Sequence, residues 1–204
     1  ATQNYAYGLI DDPNNTTTIS NSALLEQTIK SRAATYNTEP PRTLWHVSKN
    51  PFIEGTHRGW RLKLMPGQAI AANSLIRSET LAEFVAVRRT GNDTSAVGEN
   101  ACMISGSTSI ISVDLLNGGE YEKAVFDTDD DQIVNEKDDH GSMMEMQGMV
   151  SPEAQVVQTT SGDQKTSPYL TVDQKTGKIV KNIVADFPKG KGAPTLIRVN
   201  LREI

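Results

Sequence analysis

The sequence predicts an all-β protein, a β-propeller or part of one, built of four-stranded antiparallel blades with one short inserted helix. Three observations lead there. Most apolar residues fall in short runs of strand period that stop at Pro, Gly or Asn. Three of those runs share one layout: an apolar strand, an aspartate, then a polar turn. Helix signals are scarce across all 204 residues.

Along the chain, "YAYGLIDDPNN" is the first such strand and turn. "ISNSALLEQTIKSRA" at 19–33 is the one helix candidate: Ser20, Asn21 or Ser22 can cap it, and Leu24, Leu25 and Ile29 fall on one helical face. "TLWHVSK" places His46 on a strand. "RGWRLKLMPG" alternates Trp60, Leu62 and Leu64 with Arg61 and Lys63, then stops at Pro-Gly. "AEFVAVRRTG", "STSIISVDLLNGG", "SPYLTVDQKTGKIV" and "TLIRVNLREI" follow the same grammar, with tight turns at Asn117-Gly118 and Thr176-Gly177.

The aspartates of the three like segments are Asp11, Asp114 and Asp173. With one unrecognised copy in the first gap, they imply a period of about 50 to 60 residues, long for a hairpin and suited to a four-stranded propeller blade with insertions. The alternative is ordinary β-turn composition, in which Asp and Gly are common. At that period residues 1–204 hold about four blades, either as a small ring or as part of a larger propeller. An open part would expose strand edges that proteins generally cover.

Composition narrows the function classes. With 37% hydrophobic and 22% charged residues the chain reads as soluble and globular. No apolar run approaches the ~20 residues of a membrane span. The net charge of −5 and the brevity of the basic pieces at 87–90 and 189–191 argue against nucleic acid as a partner. Cys102 is the single cysteine, so an internal disulfide is excluded, and it reads as a small buried residue. The opening residues show no basic start and no apolar stretch, which fits either cytoplasmic residence or a mature or excised piece of something larger.

The chemistry concentrates in "FDTDDDQIVNEKDDHG", residues 126–141. Residues 127–139 alone carry −6, against −5 for the whole chain. With Asp127 as the first position of a twelve-residue loop, Asp129 is third, Asp131 fifth, Ile133 seventh, Asn135 ninth and Asp138 twelfth. That is the ligand ladder of an EF-hand-like calcium loop. Side-chain oxygens serve at one, three and five, a backbone carbonyl at seven, a water-mediated group at nine and a carboxylate at twelve. Val134 supplies an apolar tie to the body of the protein. Two carboxylates about 5 Å apart repel by roughly 3 kcal/mol at an effective dielectric near 20, so a closed loop calls for a hard divalent cation. Flexible oxygen ligands favour Ca2+ over Mg2+. Gln132 stands at the sixth position, where glycine usually permits the turn, and Asp138 is shorter than the usual Glu. Both point to modest affinity, about 0.1–1 mM.

Catalytic signatures are absent from the sequence. His46, His57 and His140 show no paired metal-ligand spacing, and no nucleophile elbow or phosphate-binding glycine loop occurs. "GSTS" at 106–109 reads as the start of a strand. The expectation is a protein that is not an enzyme.

The ordered series Gly59-Trp60, Cys102, Asp114, Gly118-Gly119, Asp127 to Asp138 and Gly148 to Pro152 resembles the C-terminal propeller of the PilY1/PilC family, the type IV pilus tip adhesins and biogenesis factors. "YAYGLIDDPNNTTTISNSALLEQT" resembles an earlier blade strand with its turn, and "VNLREI" resembles the closing strand. The resemblance implies that the chain is the last part of a longer protein, exported through the periplasm and outer membrane to the pilus tip at the cell surface. It implies a calcium-dependent role in pilus extension and attachment. The implied partners are minor pilins, a host or abiotic surface, and the remaining N-terminal part of the same protein. "YLTVDQKTGK" also resembles the repeat of quinone-dependent alcohol dehydrogenase propellers, which makes a quinoprotein-like enzyme one alternative. Another is a carbohydrate- or protein-binding propeller unconnected with pili.

Overall fold

The computed structural model describes residues 2–11, 17–38, 41–77, 80–92, 104–131, 133–147, 155–156, 159–161, 164–172 and 179–185. Cys102, Gln132, residues 148–152, Asp173, the turn expected at Thr176-Gly177 and the strand expected at 195–204 lie outside them. The fold is all-β and propeller-like, as expected. Nine strands form one sheet: β1 (Tyr5–Leu9), β2 (Leu25–Tyr36), β3 (Arg42–Val47), β4 (Gly59–Lys63), β5 (Gln68–Ile70), β6 (Leu75–Arg77), β7 (Leu81–Asn92), β8 (Ile104–Asp114) and β9 (Met143–Gln147). The strands β10 (Gln155–Val156), β11 (Thr159–Ser161), β12 (Gln164–Val172) and β13 (Ile179–Ala185) form a second, antiparallel sheet around β12.

The helix expected at 19–33 is not formed. Only a 3-10 turn at Asn21–Ala23 is helical, and β2 takes over from Leu25. Local propensity is a weak prior, and tertiary partners override it here. Leu25 and Gln27, two apart, both point inward, which is strand period. Gln27 is fully buried and makes four hydrogen bonds. Its Nε2 donates to the Asn50 and Asn117 carbonyls at 3.0 Å each, and its Oε1 accepts from Ser48 Oγ at 2.5 Å and Asn50 N–H at 3.0 Å.

β2 also joins two parts of the sheet. Leu25 to Thr28 pair in parallel with β4, which pairs antiparallel with β1. Ile29 to Tyr36 pair antiparallel with β3 across two register shifts. Such bulges sharpen twist and let a strand turn from one set of partners to another. The parallel β2–β4 pairing departs from the purely antiparallel expectation. Beyond β3 the order runs β9, β8, β7, and β7 takes β5 and β6 on its far edge.

Burial lies on both faces of β8 and β9. Ile111, Val113 and Met143 join Trp60, Leu62 and Phe84 on one side, whereas Ile110, Met144 and Met146 join Leu44, Val85 and Phe126 on the other. Strands buried on both faces read as near-continuous apolar or small-residue runs, as "STSIISV" does.

Trp60 is 1% exposed and lies between two glycines. A Cβ on Gly8 or on Gly118 would come within 2.3 Å of the indole ring. The indole Nε1 donates to the Leu115 carbonyl at 2.9 Å. Gly118 also has φ of +67°, a conformation that suits glycine. The Leu115–Gly119 turn is thereby pinned to β4. Asp114 opens that turn by accepting from the Leu116 and Asn117 N–H groups at 2.9 and 3.0 Å.

Two outcomes follow from this packing. Trp60→Ala is expected to cost about 3–5 kcal/mol, and Gly118→Ala about 2 kcal/mol or more through contact and backbone strain, both read by urea unfolding. Burial raises the pKa of Asp114 above its usual value, with the two N–H bonds opposing. A raised folded-state pKa contributes stability below pH ~3.8 that is lost as pH rises through the folded value. The stability of Asp114→Asn relative to the native chain is therefore expected to improve from pH 3.5 to pH 7, and unfolding at both pH values checks it.

Candidate metal centre

The connection from β8 to β9 spans 115–142 and carries the acidic loop. It is tied down before the loop by Ala124, Val125 and Phe126, which are 4%, 0% and 1% exposed, and within it by Val134 at 5%. Val125 and Phe126 enter the core beside Leu44, Ile110 and Met144. Val134 is the buried tie expected from its place in the sequence.

The loop closes on Asp138, which is 3% exposed. Its Oδ1 accepts from the Thr128 N–H at 2.6 Å and the Thr128 hydroxyl at 3.0 Å, and its Oδ2 from the Asn135 N–H at 2.7 Å. Thr128 Oγ1 in turn accepts from the Asp139 N–H at 2.9 Å. Among the described residues Oδ2 takes one donor, which leaves room for a further partner. Asp138 thus has a structural duty at the twelfth position, closing the loop start against its end.

The first, third and fifth positions converge. One carboxylate oxygen from each of Asp127, Asp129 and Asp131 lies within 4.8 Å of the others. Asp127 is buried, and Asp129 and Asp131 are exposed. Short side-chain-to-backbone turns hold the ladder: Asp131 N–H donates to Asp129 Oδ1 at 3.2 Å and Ile133 N–H to Asp131 Oδ1 at 2.8 Å. The Asn135 amide reaches the Ile133 carbonyl at 3.3 Å and Asp131 Oδ2 at 3.5 Å, so the seventh and ninth positions sit beside the fifth. Three carboxylates this close repel one another by a few kcal/mol per pair. All the donors are hard oxygens, the chemistry that suits a metal cation of the same kind. The residues fit a metal ion, and the cluster can hold one.

Two aspartates outside the ligand ladder, Asp130 and Asp139, face elsewhere. Asp130, at φ +63°, turns to Arg42, whose Nη2 lies 2.8 and 2.9 Å from its two carboxylate oxygens. Tyr36 donates its hydroxyl to Asp139 Oδ2 at 2.7 Å. Burial, helped by the hydrogen bond and charge of Asp139, raises the Tyr36 pKa, so the hydroxyl remains a donor. Arg42, Tyr36 and Thr128 were not read from the sequence as parts of the loop's setting. No local motif marks them; Arg42 reaches the loop through the pairing of β3 with β9, which sets Arg42 opposite Met146.

The histidines lie apart from this cluster. His46 Nδ1 is 3.0 Å from Glu120 Oε2. His57 Nδ1 accepts from the Ile53 N–H at 2.9 Å, with its ring 5.5 Å from that of Phe52. His140 is exposed. "GSTS" lies within β8, as expected, with Ser107, Thr108 and Ser109 fully buried.

No family model matches the chain, and no curated protein does. Among solved structures, the crystal structure of the Pseudomonas aeruginosa PilY1 C-terminal domain superposes on 90% of the chain with a TM-score of 0.62 and 17% sequence identity. The fold is similar to part of the PilY1 C-terminal domain. The chain spans 37% of the length of that PilY1 structure. At this identity the likeness establishes a PilY1-like fold. Among the described residues no helix is long and apolar enough to cross a membrane.

If Asp138 closes the loop, Asp138→Ala is expected to accelerate amide exchange at Thr128 and Asn135 by more than about tenfold, since charge-assisted bonds of about 1.5–3 kcal/mol are lost. Amides in the centre of β8 serve as the unchanged internal control.

Proposed function

We propose that this chain is a calcium-binding module of a type IV pilus-associated protein, supporting pilus extension and surface attachment. The observation that carries the reading is the convergence of Asp127, Asp129 and Asp131 within 4.8 Å on a loop with EF-hand spacing. The PilY1-like fold supports the pilus setting. In this reading Asp127, Asp129 and Asp131 hold Ca2+ with side-chain oxygens, Ile133 with its carbonyl, and Asp138 through Oδ2, while Asn135 acts through water.

Bound calcium would supply the positive charge that makes a closed, ordered loop favourable. The chain's own residues do the rest. Val125, Phe126 and Val134 fix the loop to the core, and Asp138 shuts it, so ion binding orders an exposed surface and leaves the strands as they are. That surface, which includes the half-exposed Ile133, is what minor pilins at the pilus tip or a host or abiotic surface would meet. The module acts by binding and not by catalysis. It belongs at the cell surface, next to the N-terminal remainder of a longer chain.

Calorimetric titration with calcium chloride tests this. The native chain is expected to bind one ion, and Asp127→Ala or Asp129→Ala to abolish the heat while far-ultraviolet circular dichroism keeps its β signal. Binding heat that survives both substitutions would remove the loop as the site.

A further inference from the structure

Strands β2 and β3 contribute two side chains to the acidic loop, one within the ladder and one just beyond its end. Arg42, the first residue of β3, reaches Asp130, between the third and fifth ligand positions. Tyr36, the last residue of β2, reaches Asp139, next to the twelfth. Both aspartates fall at positions that the ligand ladder leaves unused. The guanidinium also lies 5.8 Å from the centre of the Tyr36 ring, and Arg42 Nε donates to Thr38 Oγ1 at 3.2 Å, so the two grips brace each other.

Burial is unequal across the main contact. The Arg42 side chain is 6% exposed and the Asp130 side chain 63%. A desolvated guanidinium is costly without an anionic partner, whereas an exposed carboxylate is not. Arg42 is therefore the fixed member of the pair, and the loop comes to it. Asp130 reaches it from a left-handed backbone conformation, φ +63°, which aspartate tolerates better than most non-glycine residues.

From this geometry we infer that Arg42 and Tyr36 are positioning residues for the metal centre. They form a clamp that draws off two of the non-ligand carboxylates, Asp130 and Asp139, and keeps Asp127, Asp129 and Asp131 facing one another before the cation arrives. The inference rests on the calcium reading above and adds to it a route by which the β2–β3 hairpin sets ion affinity.

Electrostatics and pre-organisation give opposite signs for the same substitution. If Arg42 acted only as a nearby positive charge, its removal would strengthen cation binding. As a clamp, its removal leaves the loop to be ordered at the expense of binding, and affinity falls. Loss of outer-shell partners typically weakens metal affinity about 10- to 100-fold.

The experiment is calorimetric titration of the full chain and its variants with calcium chloride, each variant first checked by circular dichroism. Arg42→Ala is expected to bind about tenfold more weakly. Tyr36→Phe, which removes one hydrogen bond and no positive charge, is expected to bind several-fold more weakly. Arg42→Lys keeps the charge without the planar donor and should fall between Arg42→Ala and the native chain. Should Arg42→Ala misfold, Tyr36→Phe decides the matter, because its ring stays in place. Binding that is unchanged or tighter in the folded variants, with a native chain that binds calcium, overturns the clamp alone. A native chain that gives no binding heat overturns the calcium reading and the clamp with it.

Discussion

The position of Trp60 between two glycines is the constraint on which the rest of this architecture depends. The indole brings together β1, β4 and the turn that leaves β8, three elements far apart in sequence, and it tolerates no side chain on Gly8 or Gly118. A large aromatic ring supplies most of its stabilisation through buried area, but here its shape matters as much. Because the turn from Leu115 to Gly119 is held against a flat ring, the long connection beyond it leaves the sheet in a defined direction. Gln27, on β2 beside β4, reinforces that direction by bonding the Asn117 carbonyl. The acidic loop therefore starts from a rigid base although much of it is exposed.

Within the loop the negative charges are divided among distinct tasks. Asp138 accepts backbone donors and closes the ring of residues. Asp130 meets a guanidinium and Asp139 a phenol. Those three carboxylates are compensated by the protein itself. At the first, third and fifth positions one carboxylate oxygen from each aspartate lies within 4.8 Å of the others. A loop of uncompensated aspartates would spread into water to relieve repulsion. Here the compensated members act as struts that limit the spreading, so the density of charge at one point becomes a property of the fold.

How much of this could be read in the sequence depended on how local each determinant is. The Asp-x-Asp-x-Asp ladder is a pattern within one loop, and the convergence of Asp127, Asp129 and Asp131 follows from residues a few positions apart. Strands β4, β7 and β8 were legible for the same reason, since period-2 alternation and the Asn117-Gly118 turn are short-range signals. Residues 19–33 misled because Leu24, Leu25 and Ile29 satisfy a helical face as well as a strand edge. What decided for the strand was the partner set of Gln27, which lies 21 to 90 residues away. The contacts of Arg42 and Tyr36 with the loop span 88 and 103 residues. They arise from sheet register, which one sequence read alone does not reveal.

The double allegiance of β2 has a mechanical consequence. Its first four residues belong to the ladder with β4 and its later residues to the ladder with β3, and it ends at Tyr36. A pull that reaches β2 through its ladder with β4 runs along one strand to Tyr36, whose hydroxyl bonds Asp139 at the rim of the charged loop. One continuous strand thus takes part in both ladders and ends in a side chain bonded to the loop, so tension at one end of the sheet has a direct route to the loop at the other.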